Sequence, residues 1–165
     1  MNAKEEVIEW LRDAYAMERG LEVTLQKITG NQNHPSEVRY LIEQHLEETR
    51  QHAQTVEWLL KTLGADTSAV RTGLGMMTEA VKGLSTRIAR DEVIKDLLGC
   101  YAMEHFEIAC YRALIAAAEA GGLSDVTDAC EQIIFDEEQM AETISDSLPR
   151  LVQNYLAVEK LSKAA

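Results

Sequence analysis

The 165-residue chain sets 16 Lys and Arg against 28 Asp and Glu, a formal net charge of −12. Such a surface repels phosphate backbones and anionic lipid and concentrates cations, which argues against nucleic acid and membrane as partners and leaves metal ions open. With 46% hydrophobic residues, 27% charged residues and only 2 prolines, the composition is that of one helical globular domain over residues 1–165.

The opening "MNAKEEVIEW" lacks the basic flank and apolar run of an export signal, and no segment holds about 18 uninterrupted apolar residues. A soluble cytoplasmic protein is expected. Cys100, Cys110 and Cys130 have no CxxC spacing and read as reduced thiols in the core.

From Lys4 to Ile28, apolar residues at Val7, Ile8, Leu11, Ala14, Tyr15, Leu21, Leu25 and Ile28 follow the three-four spacing of a helix with one buried face. "TGNQNHPS" ends it, with Ser36 as the expected N-cap of the next helix and His34 expected in solvent. The second helix runs to Leu63 with Val38, Leu41, Ile42, Val56, Leu59 and Leu60 on its stripe, and Gly64 is its stop. Residues 65–90 hold Gly73, Gly75 and Gly83 and only loose periodicity, which reads as a long connection with one short or broken helix.

A third helix is expected from Asp91 to Ala120, where two glycines stop it, and a fourth from Ser124 or Asp125 to Pro149, which should kink or end it. Leu151, Val152, Tyr155, Leu156 and Leu161 beyond Pro149 could extend that helix or form a short fifth one against a partner subunit. No stretch shows the two-residue alternation of a strand. The expected fold is all-α: a four-helix bundle with one long crossover between helices 2 and 3, the connectivity of ferritin-like bundles, and a short C-terminal helical extension.

"YAMER" at residues 15–19 returns as "YAMEH" at 101–105, and each copy puts a glutamate, Glu18 or Glu104, on the stripe that should face the core. Helix 2 carries "HLEETRQH", in which His45, Glu48 and His52 share one face. Glu137 answers Glu48 on helix 4, following it by nearly the interval that separates Glu104 from Glu18. Glu107 lies three residues beyond Glu104 on the same face, with Tyr111 one turn further.

The expected inward set is therefore Glu18, His45, Glu48, Glu104, Glu107 and Glu137, with His52 as a weaker member and Glu138 and Glu142 as outer candidates. Several carboxylates in one core need protons, salt bridges or a metal, because each unpaired burial costs several kcal/mol. The stripes hold no obvious Arg or Lys, and carboxylate with imidazole is a ligand mixture suited to non-haem iron or manganese.

The phrases "WLRDAYAMERGLE", "IEQHLEETR", "EHFEIACYRALIAAA" and "DEEQMAETI" resemble the YciE/YciF family of ferritin-like bacterial stress proteins over nearly the whole chain, and lie closer to the YciE branch. The resemblance implies a cytoplasmic homodimer related to rubrerythrins and ferritins, with a dinuclear metal centre whose positions match here at Glu18, His45, Glu48, Glu104, Glu107 and Glu137. Two iron ions are the implied cofactor, with manganese as an alternative. One departure matters: di-iron bundles of this class carry Glu-x-x-His on helices 2 and 4, whereas Met140 stands where the helix 4 histidine would be.

Two functions remain open from the sequence. One is an enzyme that oxidises Fe(II) with dioxygen or peroxide; the other is a non-enzymatic helical stress protein whose core carboxylates hold a structural cation or share protons.

Overall fold

A computed structural model describes residues 2–67 and 91–164. Four helices account for nearly all of them: α1 (Ala3–Thr29), α2 (Ser36–Thr62), α3 (Glu92–Ala120) and α4 (Ser124–Ala164). The expected short helix between α2 and α3 falls on residues 68–90, outside the described residues.

Each boundary has a local cause. Asn2 caps α1 with a full capping box, its Oδ1 accepting from the Glu5 N–H at 2.9 Å while its own N–H donates to the Glu5 carboxylate at 3.0 Å. Asp91 caps α3 by accepting from the Ile94 N–H at 3.1 Å. Past α2 and α3 the chain turns at Gly64 and Gly122, both at positive φ, where a side chain would be strained.

Two expectations about ends are corrected. Ser36 is the first residue of α2 and not its cap; Pro35 occupies that position without a side-chain bond, its fixed φ of −54° leading into the helix. Pro149 neither ends nor divides α4, which continues to Ala164. The hydrogen bond that proline cannot give would have gone to a carbonyl one turn back on an exposed side of the helix, where water can replace it. Buried Leu151 and the bidentate pair from Arg150 to Glu37 on α2, at 2.7 and 2.8 Å, hold the helix beyond the proline.

α1 packs chiefly on α2 and α3 on α4, with α1–α3 and sparser α2–α4 contacts closing the bundle. His34, in the α1–α2 loop, puts Nε2 3.1 Å from an Asp96 oxygen, so α3 starts at the end of the bundle where α1 finishes, and α2 and α3 run parallel. His34 is therefore buried and not in solvent as expected; its Nδ1 lies 3.3 Å from the Asn31 carbonyl. The loop folds back over its own imidazole, a contact that periodicity does not encode.

The apolar core comes in two blocks. One, toward the α1 N-terminus, gathers Val7, Leu11, Leu59, Leu60, Leu114, Val126 and Ile133; the other, toward the α1–α2 loop, gathers Leu21, Leu25, Ile42, Leu97, Met140 and Ile144. The glutamates and histidines lie between them. Cys100 and Cys130 are buried and Cys110 half-buried, all three as free thiols.

Candidate metal centre

Each helix contributes to the middle layer from the same stripe that supplies its apolar residues. Glu18 of α1, Glu104 and Glu107 of α3 and Glu137 of α4 are buried, and so are His45 and His52 of α2. Seven residues separate the two histidines, which leaves them within about 20° of one another around α2. Thr49 donates its hydroxyl to the His45 carbonyl at 2.9 Å between them.

The ligand atoms converge in two groups. His45, Glu104, Glu107 and Glu137 form one and Glu18, His52 and Glu137 the other, with the chosen atoms of each group all within 4.8 Å of one another. Glu137 belongs to both. His45 Nε2 lies 2.8 Å from Glu104 Oε1, and His52 Nδ1 lies 3.0 Å from Glu137 Oε1.

These approaches are short but misaligned for hydrogen bonding. Glu18 Oε2, both oxygens of Glu104 and of Glu107, both ring nitrogens of His45 and Nδ1 of His52 are buried without a hydrogen-bond partner. Native cores rarely leave such atoms unsatisfied. Atoms that face a common point and not one another are arranged as ligands around an ion, and among the described residues no Arg or Lys pairs with Glu18, Glu104, Glu107 or Glu137.

Neighbouring side chains orient the ligands. The Tyr111 hydroxyl donates to Glu18 Oε1 at 2.5 Å, which leaves Oε2 to face the centre. His52 Nε2 lies 3.2 Å from Asp136 Oδ2, and Gln132 donates to the other Asp136 oxygen at 3.0 Å. With Nε2 committed to a carboxylate, Nδ1 is the nitrogen that His52 can offer, the arrangement common behind metal-bound imidazoles.

Titration behaviour follows from the crowding. Burial, reinforced by Glu137, pushes the Glu18 carboxyl up to about 8. Burial likewise drives Glu104 and Glu107 well above the carboxylate range, with Glu137 adding to both. In Glu137 the penalty of burial is outweighed by Glu104 and His52, which bring it below its ordinary value. A proton between Glu104 and Glu137 would convert their approach into a hydrogen bond. Burial lowers His45 to about 4. His52 goes the other way: burial works to lower it, but its bond to Glu137 and the charges of Glu18 and Glu137 hold it up at about 9.

Of the residues expected to face inward, the structure brings together Glu18, His45, His52, Glu104, Glu107 and Glu137. Glu48 stands apart, half-buried and in neither group. Its position on α2 is rotated about 60° from His45 and about 40° from His52. Glu138 and Glu142 are exposed, and Glu138 pairs with Arg112 at 2.7 Å. Asp136 was invisible in sequence, because its partner His52 lies on another helix.

The family described as Domain of unknown function (DUF892) matches residues 2–157. This chain belongs to the DUF892 family. A solved structure from Xanthomonas campestris is 34% identical to this DUF892 chain, with 96% of this chain and 99% of the other covered and a TM-score of 0.81. YcfI of Rhodopseudomonas palustris is 23% identical over 88% of this chain and 94% of its own, at a TM-score of 0.75. The Escherichia coli stress protein YciF is 19% identical over 93% and 98%, at a TM-score of 0.73. These neighbours bear out the resemblance to the YciE/YciF family and the all-α four-helix fold; they do not separate its two branches. No helix among the described residues is long and apolar enough to cross a membrane.

Proposed function

We propose that this DUF892 protein binds two divalent metal ions, iron foremost and manganese as the alternative, between its two apolar blocks. The observation that carries this reading is the pair of convergent ligand groups sharing Glu137, with buried donor atoms that have no other partner. Oxygen-rich donors with one imidazole in each group suit such ions. Bound iron would supply redox chemistry: as substrate, two Fe(II) give one electron each to dioxygen, which takes two protons and leaves as hydrogen peroxide.

In that role Glu137 bridges, His45, Glu104 and Glu107 complete one side, and Glu18 and His52 the other. Tyr111 fixes which Glu18 oxygen is offered, Asp136 fixes the His52 nitrogen, and the apolar blocks limit water. The family resemblance supports a role in stress and assembly as a homodimer, and the acidic surface supports neither nucleic acid nor membrane as a partner.

Anaerobic loading of chelator-treated protein with Fe(II), and separately Mn(II), tests the centre. About two ions per chain are expected, one in Glu107→Ala or Glu18→Ala, and faster oxygen consumption by the iron-loaded protein than by Fe(II) in buffer. Absence of binding above that of a Glu18→Ala, Glu104→Ala variant would defeat this reading. A second reading then takes its place, favoured by the approach of Glu104 to Glu137: a non-enzymatic bundle whose carboxylates share protons or hold one structural cation.

A further inference from the structure

The six converging side chains are at least 95% buried, so an ion that reaches them has to pass between helices. His52 marks where. Its inner nitrogen faces Glu137 at 3.0 Å and its outer nitrogen lies 3.2 Å from Asp136, whose side chain is 33% exposed. Glu48, one turn before His52 on α2, is half-buried and lies within the electrostatic reach of His52, Asp136 and Glu137. Two carboxylates from facing helices thus stand at the solvent side of a buried ligand whose inner nitrogen has no hydrogen-bond partner. The α2–α4 seam they flank is the more sparsely packed of the contacts that close the bundle.

We propose that Glu48 and Asp136 form an outer cation site through which divalent ions reach the buried centre past His52. This rests on the dinuclear reading above and deepens it. An ion arriving at the seam exchanges part of its hydration shell for these two carboxylates, which desolvates it in steps instead of at once. Gln132 holds the far oxygen of Asp136 at 3.0 Å and keeps that carboxylate at the seam. Paired carboxylates in a cleft raise the local concentration of cations and their on-rates by roughly tenfold or more.

The test is stopped-flow uptake of Co(II) by metal-free protein, read by the visible absorption of bound cobalt, beside equilibrium stoichiometry. Wild type is compared with Glu48→Gln, Asp136→Asn and the double variant, with Glu119→Gln on exposed α3 as a control for the loss of one charge. The expected result is loading slowed about tenfold in Glu48→Gln and further in the double variant, with two ions still bound at equilibrium in Glu48→Gln and wild-type rates in the control. Wild-type rates in both single variants would overturn the outer site. So would the loss of one ion at equilibrium in Glu48→Gln, which would make Glu48 a ligand of the centre. No cobalt uptake by wild type would remove the dinuclear reading itself, and the outer site with it.

Discussion

Glu18→Gln is expected to stabilise the metal-free protein and to weaken the metal-loaded one. The Glu18 carboxyl is fully buried and titrates near 8 in the fold, against 4.5 when unfolded. At pH 7 the native state therefore keeps a proton that the unfolded chain has released. Roughly 2.5 pH units at about 1.4 kcal/mol each amounts to about 3 kcal/mol of stability lost relative to acid conditions. Glutamine does not titrate, so it escapes that loss while keeping the oxygen that accepts from Tyr111. For a chain of this size the gain corresponds to about 8 °C in Tm. Thermal melts in chelator should show it at pH 7 and show less than about 1 kcal/mol at pH 5, where both states of the wild-type carboxyl are nearly protonated. With metal the order should reverse, because wild type gains about 2.7 kcal/mol from an ion at a hundred times its Kd and the variant forfeits a ligand. A variant that melts below wild type in chelator at pH 7, or a gain equal at the two pH values, would refute the reasoning.

Three further outcomes follow from the same geometry. Stability of the metal-free wild type should fall between pH 6.5 and 8: the Glu18 contribution is complete below 4.5 and lost as pH rises through about 8, and that of His52 is complete below 6.5 and lost through about 9. Each adds a slope of up to about 1.4 kcal/mol per pH unit, measurable by urea unfolding across that window. Tyr111→Phe should cost the metal-free protein about 1 to 3 kcal/mol in the same assay at pH 6, since it removes the only donor to Glu18 Oε1. Pro149→Ala should stabilise the end of α4 by about 1 to 3 kcal/mol, seen as slower amide hydrogen exchange over residues 150–160, because alanine restores a helical N–H.

All four helices could be read from the sequence because each has a long stripe of apolar residues at three-four spacing, and Gly64, Asp91 and the glycines at 121–122 mark ends by their own chemistry. The stripes also led to Glu18, Glu104, Glu107 and Glu137, since a carboxyl in register with buried leucines has to share their environment. Angular precision was harder to reach. Glu48 and His52 both lie on the inner side of α2, yet about 40° of rotation separates a residue in the layer from one at its rim. On α3 the expected Tyr101 and Ile115 are only half-buried, and the stripe turns instead through Cys100, Met103, Glu107 and Tyr111. His34 and Asp136 owe their positions to residues distant in sequence, Asp96 and His52, and no local pattern announces such pairs.

The polar layer sits between two apolar blocks, each drawing on all four helices. Helices clamped above and below a layer hold their alignment without help from it, as uprights fixed at both ends hold whatever is mounted midway. Ligands in that layer can then be exchanged one at a time, as Met140 in place of a histidine suggests, while the scaffold survives each change. A bundle built this way is free to alter which ion it favours, or to give up ions altogether, without having to invent a new fold.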